Sequence, residues 1–300
     1  MKILEDVVKI DEILIKKICS RFLTEGGFAN LPGENFRIDA SAWAILALKA
    51  AGLEKDKIVS CSREAIERNQ FEDGRFVYDK EFPDSYWPTG LALLALMNDE
   101  RFSSVVAMGF KYLTKSESVV FRKNKEKKVI KDHDSSIVGW PWTDNTYAWV
   151  VPTSYALIAF KKYNWITDKR IKNAIKLILD RQIPSGGWNY GDNFAFDTEL
   201  YPFIDTTGLA LTALKGSCEQ NQIEKSINYL KKYIAVIHTP ISLSWGILGL
   251  SAWGQRPLEA DHLIMECIDR EDYFGIYDTV SLSLLCLSWY SDYKRFGMAL

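Results

Sequence analysis

The sequence predicts an all-α protein, an (α/α)6 toroid in which six inner helices stand inside six outer helices. Three observations lead to this prediction. A ten-residue phrase typical of a fully buried helix occurs six times, amphipathic helical segments alternate with it, and its terminal copies are as apolar as the central ones. An open solenoid needs polar faces on its terminal repeats, so a closed ring is favoured.

The repeated phrase has small residues at fixed places and large apolar residues between them. Its fourth, sixth and ninth places are Ala, Gly, Ser or Cys, and its fifth, seventh and tenth are large and apolar. Such a helix is apolar nearly all round and is expected to be buried on every side. The six copies are residues 39–48, 87–96, 151–160, 205–214, 241–250 and 278–287.

The first residues of the copies resemble helix starts. Asp39, Asp205 and Asp278 are favoured N-cap residues, and Pro88 and Pro152 suit a first helical turn. We therefore expect each inner helix to begin at the first place of its phrase.

The outer helices and their turns follow in order along the chain. Residues 1–23 predict the first outer helix, and residues 57–69 predict the second. A later outer helix shows its apolar stripe clearly, at Ile171, Ala174, Ile175, Ile178 and Leu179. A charged insertion at about 115–138 separates the second and third phrases, and a hairpin of 119–121 with 129–130 is expected within it.

Composition excludes several classes of protein. The chain has 300 residues, a formal charge of -2 and 47% hydrophobic residues, which fits one soluble domain spanning 1–300 and gives no reason to expect nucleic-acid binding. No signal segment or transmembrane segment is expected. The five cysteines are scattered, which favours reduced thiols and a cytoplasmic location.

Two turns between outer and inner helices share a pattern of Gln, Gly and an aromatic residue. They are Gln70 with Gly74 and Phe76, and Gln182 with Gly186 and Trp188. This pattern resembles the QW motif of the squalene cyclase and protein prenyltransferase superfamily. The resemblance implies an α/α toroid whose central cavity receives an isoprenoid, either in a terpenoid cyclase-like isomerase or lyase or in a divergent prenyltransferase.

The catalytic motifs of those families are incomplete in this chain. Squalene cyclase-type enzymes carry Asp-x-Asp-Asp-Thr-Ala, and the resemblance places its three acids at Phe203, Asp205 and Thr206. Asp205 matches the proton donor, so it is the candidate catalytic acid. The alternative is that Asp205 only caps its helix.

The prenyltransferase zinc ligands correspond by the same resemblance to Thr239, Ile241 and Asp278, and two of these cannot bind zinc. We therefore expect no metal and no cofactor.

Aromatic residues gather where the resemblance places the cavity. Trp43, Trp87, Tyr155 and Trp245 lie within or at the head of inner helices, and Tyr201 and Phe203 precede the fourth phrase. They are the candidate substrate-binding residues, since aromatic faces bind apolar ligands and stabilise cations. The alternative is that these rings fill the core.

The loop acids Asp192, Asp197 and Glu199 could form an acid/base pair with Asp205, or they could be solvated surface residues.

Two functions remain open from the sequence. In the first, the toroid binds an isoprenoid or other apolar ligand in its centre, with or without transforming it. In the second, it is a non-catalytic scaffold or subunit for a protein partner, which is bound through residues 115–138.

Overall fold

The computed structural model describes residues 2–120, 133–164 and 169–291. The inner helices are α2 (Ile38–Ala50), α4 (Thr89–Leu96), α6 (Val150–Lys162), α8 (Ile204–Leu214), α10 (Pro240–Ala252) and α13 (Thr279–Trp289). The outer helices are α1 (Lys2–Cys19), α3 (Lys57–Glu67), α5 (Ser103–Lys115), α7 (Lys169–Asp180), α9 (Gln220–Tyr233) and α11 (Ala260–Asp269). The connections contain the one-turn helix α12 (Glu271–Phe274), two 3-10 turns (Glu100–Phe102 and Ile234–Val236) and one hairpin of β1 (Phe194–Ala195) with β2 (Thr198–Glu199).

The six inner helices form a closed ring. Each packs against the next in the order α2, α4, α6, α8, α10 and α13, and α13 packs against α2. Outer helices α3, α7, α9 and α11 each contact the inner helices on both sides. Outer helix α5 packs on α4 and also meets α6, where the ring centroids of Phe110 and Phe160 lie 5.0 Å apart, and α1 packs on α13. The predicted (α/α)6 toroid is confirmed. That all 300 residues form one domain remains a prediction.

The two kinds of helix are buried as their sequences predict. Every residue of α4 is buried, since its Leu and Ala side chains meet neighbours on all sides. In α7, Ile171, Ala174 and Ile178 face the ring, while Lys172 and Lys176 are exposed. An apolar stripe is enough for a helix with one buried face, whereas an inner helix must be apolar all round.

Inner helices α8 and α10 make the closest helix contact of the ring. A Cβ built on Gly208 lies only 1.9 Å from the carbonyl oxygen of Trp245, and one on Gly249 lies 2.6 Å from the Cα of Gly208. These distances mean that the two backbones touch, which requires glycine. The small residues at the fourth and ninth places of the phrase therefore set the spacing of this pair.

A turn with a buried aromatic residue precedes four of the inner helices, whereas the pattern of Gln, Gly and an aromatic residue identifies only two of these turns. Phe28, Phe76, Trp140 and Trp188 are all fully buried. Each donates its backbone N–H to a hydroxyl at the third place of the following phrase, over 2.8 to 3.0 Å. The hydroxyls belong to Ser41, Thr89, Thr153 and Thr207.

The two glutamines of the motif tie their turns to the next outer helix. Gln70 donates from Nε2 to the carbonyl of Val105, and Gln182 donates from Nε2 to the hydroxyl of Ser226, at 2.9 and 2.8 Å. Gly74 has a φ of 98°, and a Cβ there would lie 2.3 Å from the carbonyl oxygen of Met108 in α5. In this chain the motif is therefore a structural joint between turns and outer helices.

The predicted N-caps are correct at one of three positions. Asp278 caps α13, accepting a hydrogen bond from the backbone N–H of Ser281 at 2.7 Å. Asp39 and Asp205 are instead the second residues of their helices, whose N-cap residues are Arg37 and Phe203. Neither aspartate is therefore the N-cap residue of its helix.

The hairpin expected within the insertion has most of its residues, 121–132, outside the described part of the chain. Of its described residues, Val119 forms a parallel β-bridge with Tyr147. Across the described ranges, the helices are all too short or too polar to cross a bilayer.

Candidate functional site

All six inner helices begin at the same end of the ring, because each is reached from an outer helix that runs the opposite way. We call this end the mouth. It is surrounded by the connections that lead from each outer helix into the next inner one. The helix N-termini give the mouth a positive electrostatic end, which favours carboxylates there.

The floor of the mouth is made by three aromatic rings. Trp43, Tyr155 and Trp245 occupy the fifth place of their phrases on alternate inner helices, and are 2%, 8% and 2% exposed. Their ring centroids lie 5.6 Å (Trp43 to Trp245), 5.9 Å (Trp43 to Tyr155) and 6.3 Å (Tyr155 to Trp245) apart. The helices α2, α6 and α10 that carry these rings are not neighbours in the ring of helices, so their side chains can meet only on its axis. These three side chains therefore fill the centre of the toroid.

Further rings connect the floor to the surface. Trp87 lies 6.1 Å from Tyr155, 5.3 Å from Trp142 and 5.8 Å from Tyr78, between centroids. The guanidinium of Arg37 lies over the ring of Tyr78 at 4.8 Å. A cleft of about 760 Å³ adjoins this outer end, lined by residues 33–38 and 77–81 with Asn69. Trp87, one of the predicted substrate-binding residues, therefore lies between Tyr155 at the floor of the mouth and the rings of Tyr78 and Trp142.

The two predicted residues that precede α8 differ in position. Phe203 is partly exposed, and its ring lies 4.9 Å from that of Tyr190. Tyr201 is 86% exposed, and its backbone carbonyl accepts a hydrogen bond from the side chain of Asn189. Phe203 therefore belongs to the rim of the mouth, while Tyr201 points into solvent.

Asp205 is a partly buried carboxylate at the start of α8. Burial raises its pKa above the usual range for aspartate, against the opposing effect of the backbone N–H groups of Thr206 and of Asp205 itself. Among the described residues, no basic side chain lies within ion-pair distance of it. A carboxyl group in this setting holds its proton more strongly than a solvated one.

A second carboxylate faces the mouth from the opposite inner helix. Asp39 is buried and accepts two hydrogen bonds from Arg37, at 3.0 Å from Nε and 2.5 Å from Nη2. Burial raises the pKa of the Tyr155 phenol, and the charges of Asp39 and Asp205 raise it further. The phenol thus lies within electrostatic range of two carboxylates, of which only Asp39 has a described ion-pair partner.

Two of the loop acids have other partners. Asp192 lies 3.0 Å from Nδ1 of His133, whose hydrogen bond lowers the pKa of Asp192. Glu199 accepts the backbone N–H of Ser185 at 3.1 Å. An acid pair between these loop residues and Asp205 remains a prediction. The mouth also contains Asp39, which the sequence could have indicated because Asp39 and Asp205 share the first place of the phrase.

The described residues contain no group of three or more His, Cys, Asp and Glu side chains arranged to hold a metal ion. His262 and Glu266 lie 3.5 Å apart on the exposed face of the outer helix α11, away from the mouth. Of the positions that the resemblance gave to zinc ligands, Asp278 is occupied in capping α13.

No family model matches the sequence, and no curated protein matches it. Solved structures do match. The GH76A alpha-1,6-mannanase from Salegentibacter sp. HEL1_6 superposes with a TM-score of 0.62 at 13% identity, covering 94% of this chain and 98% of that one. The type II terpene cyclase MstE from Scytonema, solved with geranylgeranyl dihydroxybenzoate, gives 0.61 at 13% identity, with coverages of 98% and 99%.

A protein described as a novel alpha-amylase from Clostridium perfringens superposes with a TM-score of 0.60 at 13% identity, covering 94% of this chain and 97% of that one. The chain therefore has the α/α toroid fold, as terpene cyclases and GH76 mannanases do. At this level of identity the likeness shows the fold alone.

Proposed function

We propose that the mouth binds an isoprenoid or another apolar ligand, and that Asp205 is its proton donor. The observation that carries this proposal is the series of ring contacts from Tyr78 at the surface, through Trp87 and Tyr155, to Trp43 on the axis. Apolar and aromatic walls with few polar groups are typical of small-molecule sites.

The chemistry would be protonation of a carbon–carbon double bond. The Asp205 carboxyl gives its proton to the less substituted alkene carbon, and the other carbon becomes a carbocation. The faces of Tyr155 and Trp87 stabilise that positive charge through their ring quadrupoles. Loss of a proton from a neighbouring carbon, back to the Asp205 carboxylate, restores the acid and leaves an isomerised or cyclised product.

Two features of Asp205 support this role. Burial raises its pKa, which favours the protonated form relative to a solvated aspartate, and the described residues place no cation within ion-pair distance of it. Asp39 is unsuited to the same role, because both of its carboxylate oxygens are engaged in hydrogen bonds from Arg37.

Ligand titrations test the binding part of the proposal. Geranylgeraniol and farnesol are expected to quench tryptophan fluorescence in the wild type, and Trp87→Ala is expected to weaken that quenching. Alpha-1,6-mannotriose is the comparison ligand, because an inactive variant of the Salegentibacter alpha-1,6-mannanase was solved in complex with it. Quenching by the oligosaccharide but by neither prenol would reject an apolar ligand.

Product analysis tests the acid. Asp205→Asn is expected to bind the prenols and to form no product from them. Asp278→Asn is the matched control, since asparagine also caps helices and α13 should keep its start. Equal turnover by wild type and Asp205→Asn would remove Asp205 from the mechanism while leaving the binding proposal in place.

A non-catalytic scaffold is the second candidate, and the filled axis favours it. Trp43 and Trp245 are almost fully buried and contact each other, as expected of a rigid ring. Under this proposal, the insertion at 115–138 holds a protein partner. Replacing residues 121–132 with a Gly/Ser linker of equal length should abolish co-purification of that partner. Unchanged co-purification would exclude this segment as the contact.

A further inference from the structure

Exposed apolar side chains of the described residues concentrate at the mouth end of the ring. The most exposed of them are Phe82, Phe196, Tyr201, Val236, Tyr273, Phe274 and Ile276, all in connections that lead into inner helices. At the opposite end of the ring, Leu258 is an exposed apolar side chain, 100% accessible, in the connection from α10 to α11. Contiguous exposed apolar groups mark interaction sites more often than isolated ones do.

Most of these residues lie in three successive connections. We call residues 181–203, 234–239 and 270–278 the docking face. They precede α8, α10 and α13, which are neighbours in the ring, so the three connections are adjacent around the mouth. The face is built from three separate loops.

Phe196 is presented in an unusual way. It forms the two-residue tip of the β1–β2 hairpin with Asp197, and both have positive φ values, 49° and 61°. A left-handed backbone is unfavourable for phenylalanine, and two-residue turns of this kind favour Asn and Gly. The ring is nevertheless 99% exposed, so no packing within the described residues repays the strain. Strain held at an exposed position points to a role in binding.

The charge of the docking face indicates the chemistry of its partner. Its sequence contains no lysine and two arginines, Arg181 and Arg270, against six acids: Asp192, Asp197, Glu199, Glu271, Asp272 and Asp278. Glu271 is buried and pairs with Lys17 at 2.7 Å, and Lys225 donates to the carbonyl of Pro184, so the exposed acids of the face are Asp192, Asp197 and Asp272. The side chain of Arg181 is itself buried beside Asp180. An acidic face repels the anionic surface of a membrane leaflet and attracts basic polypeptide.

We propose that the docking face binds a protein segment that carries basic and apolar side chains, with Phe196 as the aromatic anchor. The exposed rings Tyr201, Tyr273 and Phe274 supply the apolar contact area, and Asp272 pairs with a basic side chain. The proposal does not depend on catalysis by Asp205 or on residues 121–132.

Fluorescence anisotropy with a labelled amphipathic peptide of leucine and lysine tests it. The wild-type protein is expected to bind this peptide and not a matched peptide with glutamate for lysine. Phe196→Ser should weaken binding about tenfold or more, as expected for an anchor residue. Leu258→Ser is the matched control at the opposite end and should leave binding unchanged. Asp272→Asn and added salt should each weaken it.

Phe196→Gly separates binding from folding. Glycine relieves the strain at this φ, so the variant should be at least as stable as the wild type while losing affinity for the peptide. Absence of peptide binding by the wild type would overturn the proposal. So would equal losses in Phe196→Ser and Leu258→Ser, or preferential binding to phosphatidylcholine or phosphatidylglycerol vesicles.

Discussion

Replacing Gly208 by alanine should push α8 away from α10 and destabilise the ring. The added Cβ would lie 1.9 Å from the carbonyl oxygen and 2.3 Å from the carbonyl carbon of Trp245. Both are backbone atoms in the middle of a helix, so no side-chain rotation relieves the contact. One helix must move by roughly an ångström, which disturbs packing on both of its sides.

The expected loss is the difference between two opposed effects. Alanine is favoured over glycine inside a helix by about 1 kcal/mol. Overpacking of a close-packed interior, including the backbone shifts that it forces, typically costs about 1–3 kcal/mol and occasionally more. Because the clash here involves backbone, we expect Gly208→Ala to lower the free energy of unfolding by about 2 kcal/mol.

Urea unfolding followed by circular dichroism measures this change. The midpoint should fall while the dependence on urea concentration stays the same, which indicates altered stability without altered compactness. Trp245 is carried by α10 and contacts Trp43 at 5.6 Å between centroids, so tryptophan emission should also change. This second signal reports the floor of the mouth directly.

Gly90→Ala is the matched control. Gly90 holds the same fourth place in its phrase, but its built Cβ lies 3.1 Å from the backbone of Tyr155. A shift of a few tenths of an ångström accommodates it, so its stability should remain within about 1 kcal/mol of the wild type. If Gly208→Ala proved as stable as Gly90→Ala, the argument from close backbone contact would be wrong.

Three further predictions concern the joints and the site. Thr207→Val should cost about 1–3 kcal/mol, because the buried N–H of Trp188 loses its acceptor; thermal unfolding measures this. Gln70→Ala should cost about 1–2 kcal/mol and speed hydrogen exchange in residues 71–76, since the turn loses its bonds to the carbonyls of Gly74 and Val105. Asp205→Asn should gain stability over the wild type as pH rises from 4 to 7. The raised folded-state pKa means that ionisation above the unfolded value of about 3.9 opposes folding, and asparagine does not ionise.

A control variant or a contrary outcome tests each of these predictions. Thr207→Ser keeps the hydroxyl and should lose less stability than valine does; the reverse order would contradict the hydrogen-bond explanation. Gln220→Ala, an exposed change at the start of α9, should stay within about 0.5 kcal/mol. If the difference between Asp205→Asn and the wild type shrank with rising pH, the sign of the Asp205 pKa shift would be wrong.

The fold was predictable because its information is local and repeated. Small residues at the fourth place, such as Gly208, permit close helix contact wherever the partner lies. Two of the four aromatic turns do not fit the pattern of Gln, Gly and an aromatic residue, because the turns of Phe28 and Trp140 lack its glutamine. The hydroxyls of Ser41 and Thr153, at the third place of their phrases, were the signal that could have revealed them.

The helix starts were predictable only approximately. Aspartate is a good N-cap at all three phrase starts, yet Asp39 and Asp205 lie one residue inside their helices. The difference is a single residue, within the range over which helix ends vary. This one-residue difference matters for the site. The carboxylate of Asp278 is engaged in capping α13, whereas Asp205 does not cap its helix and has no ion-pair partner among the described residues.

By itself, the sequence determined that six buried helices alternate with amphipathic ones and that aromatic residues gather around their starts. Both properties depend on the order of residues along one chain, which a repeat displays directly. Only the tertiary structure decided that Trp43, Tyr155 and Trp245 close the axis, and that Arg37 neutralises Asp39 while Asp205 has no described ion pair. Contacts across a ring join residues that are far apart in the chain, so their distances depend on how all six helices pack together.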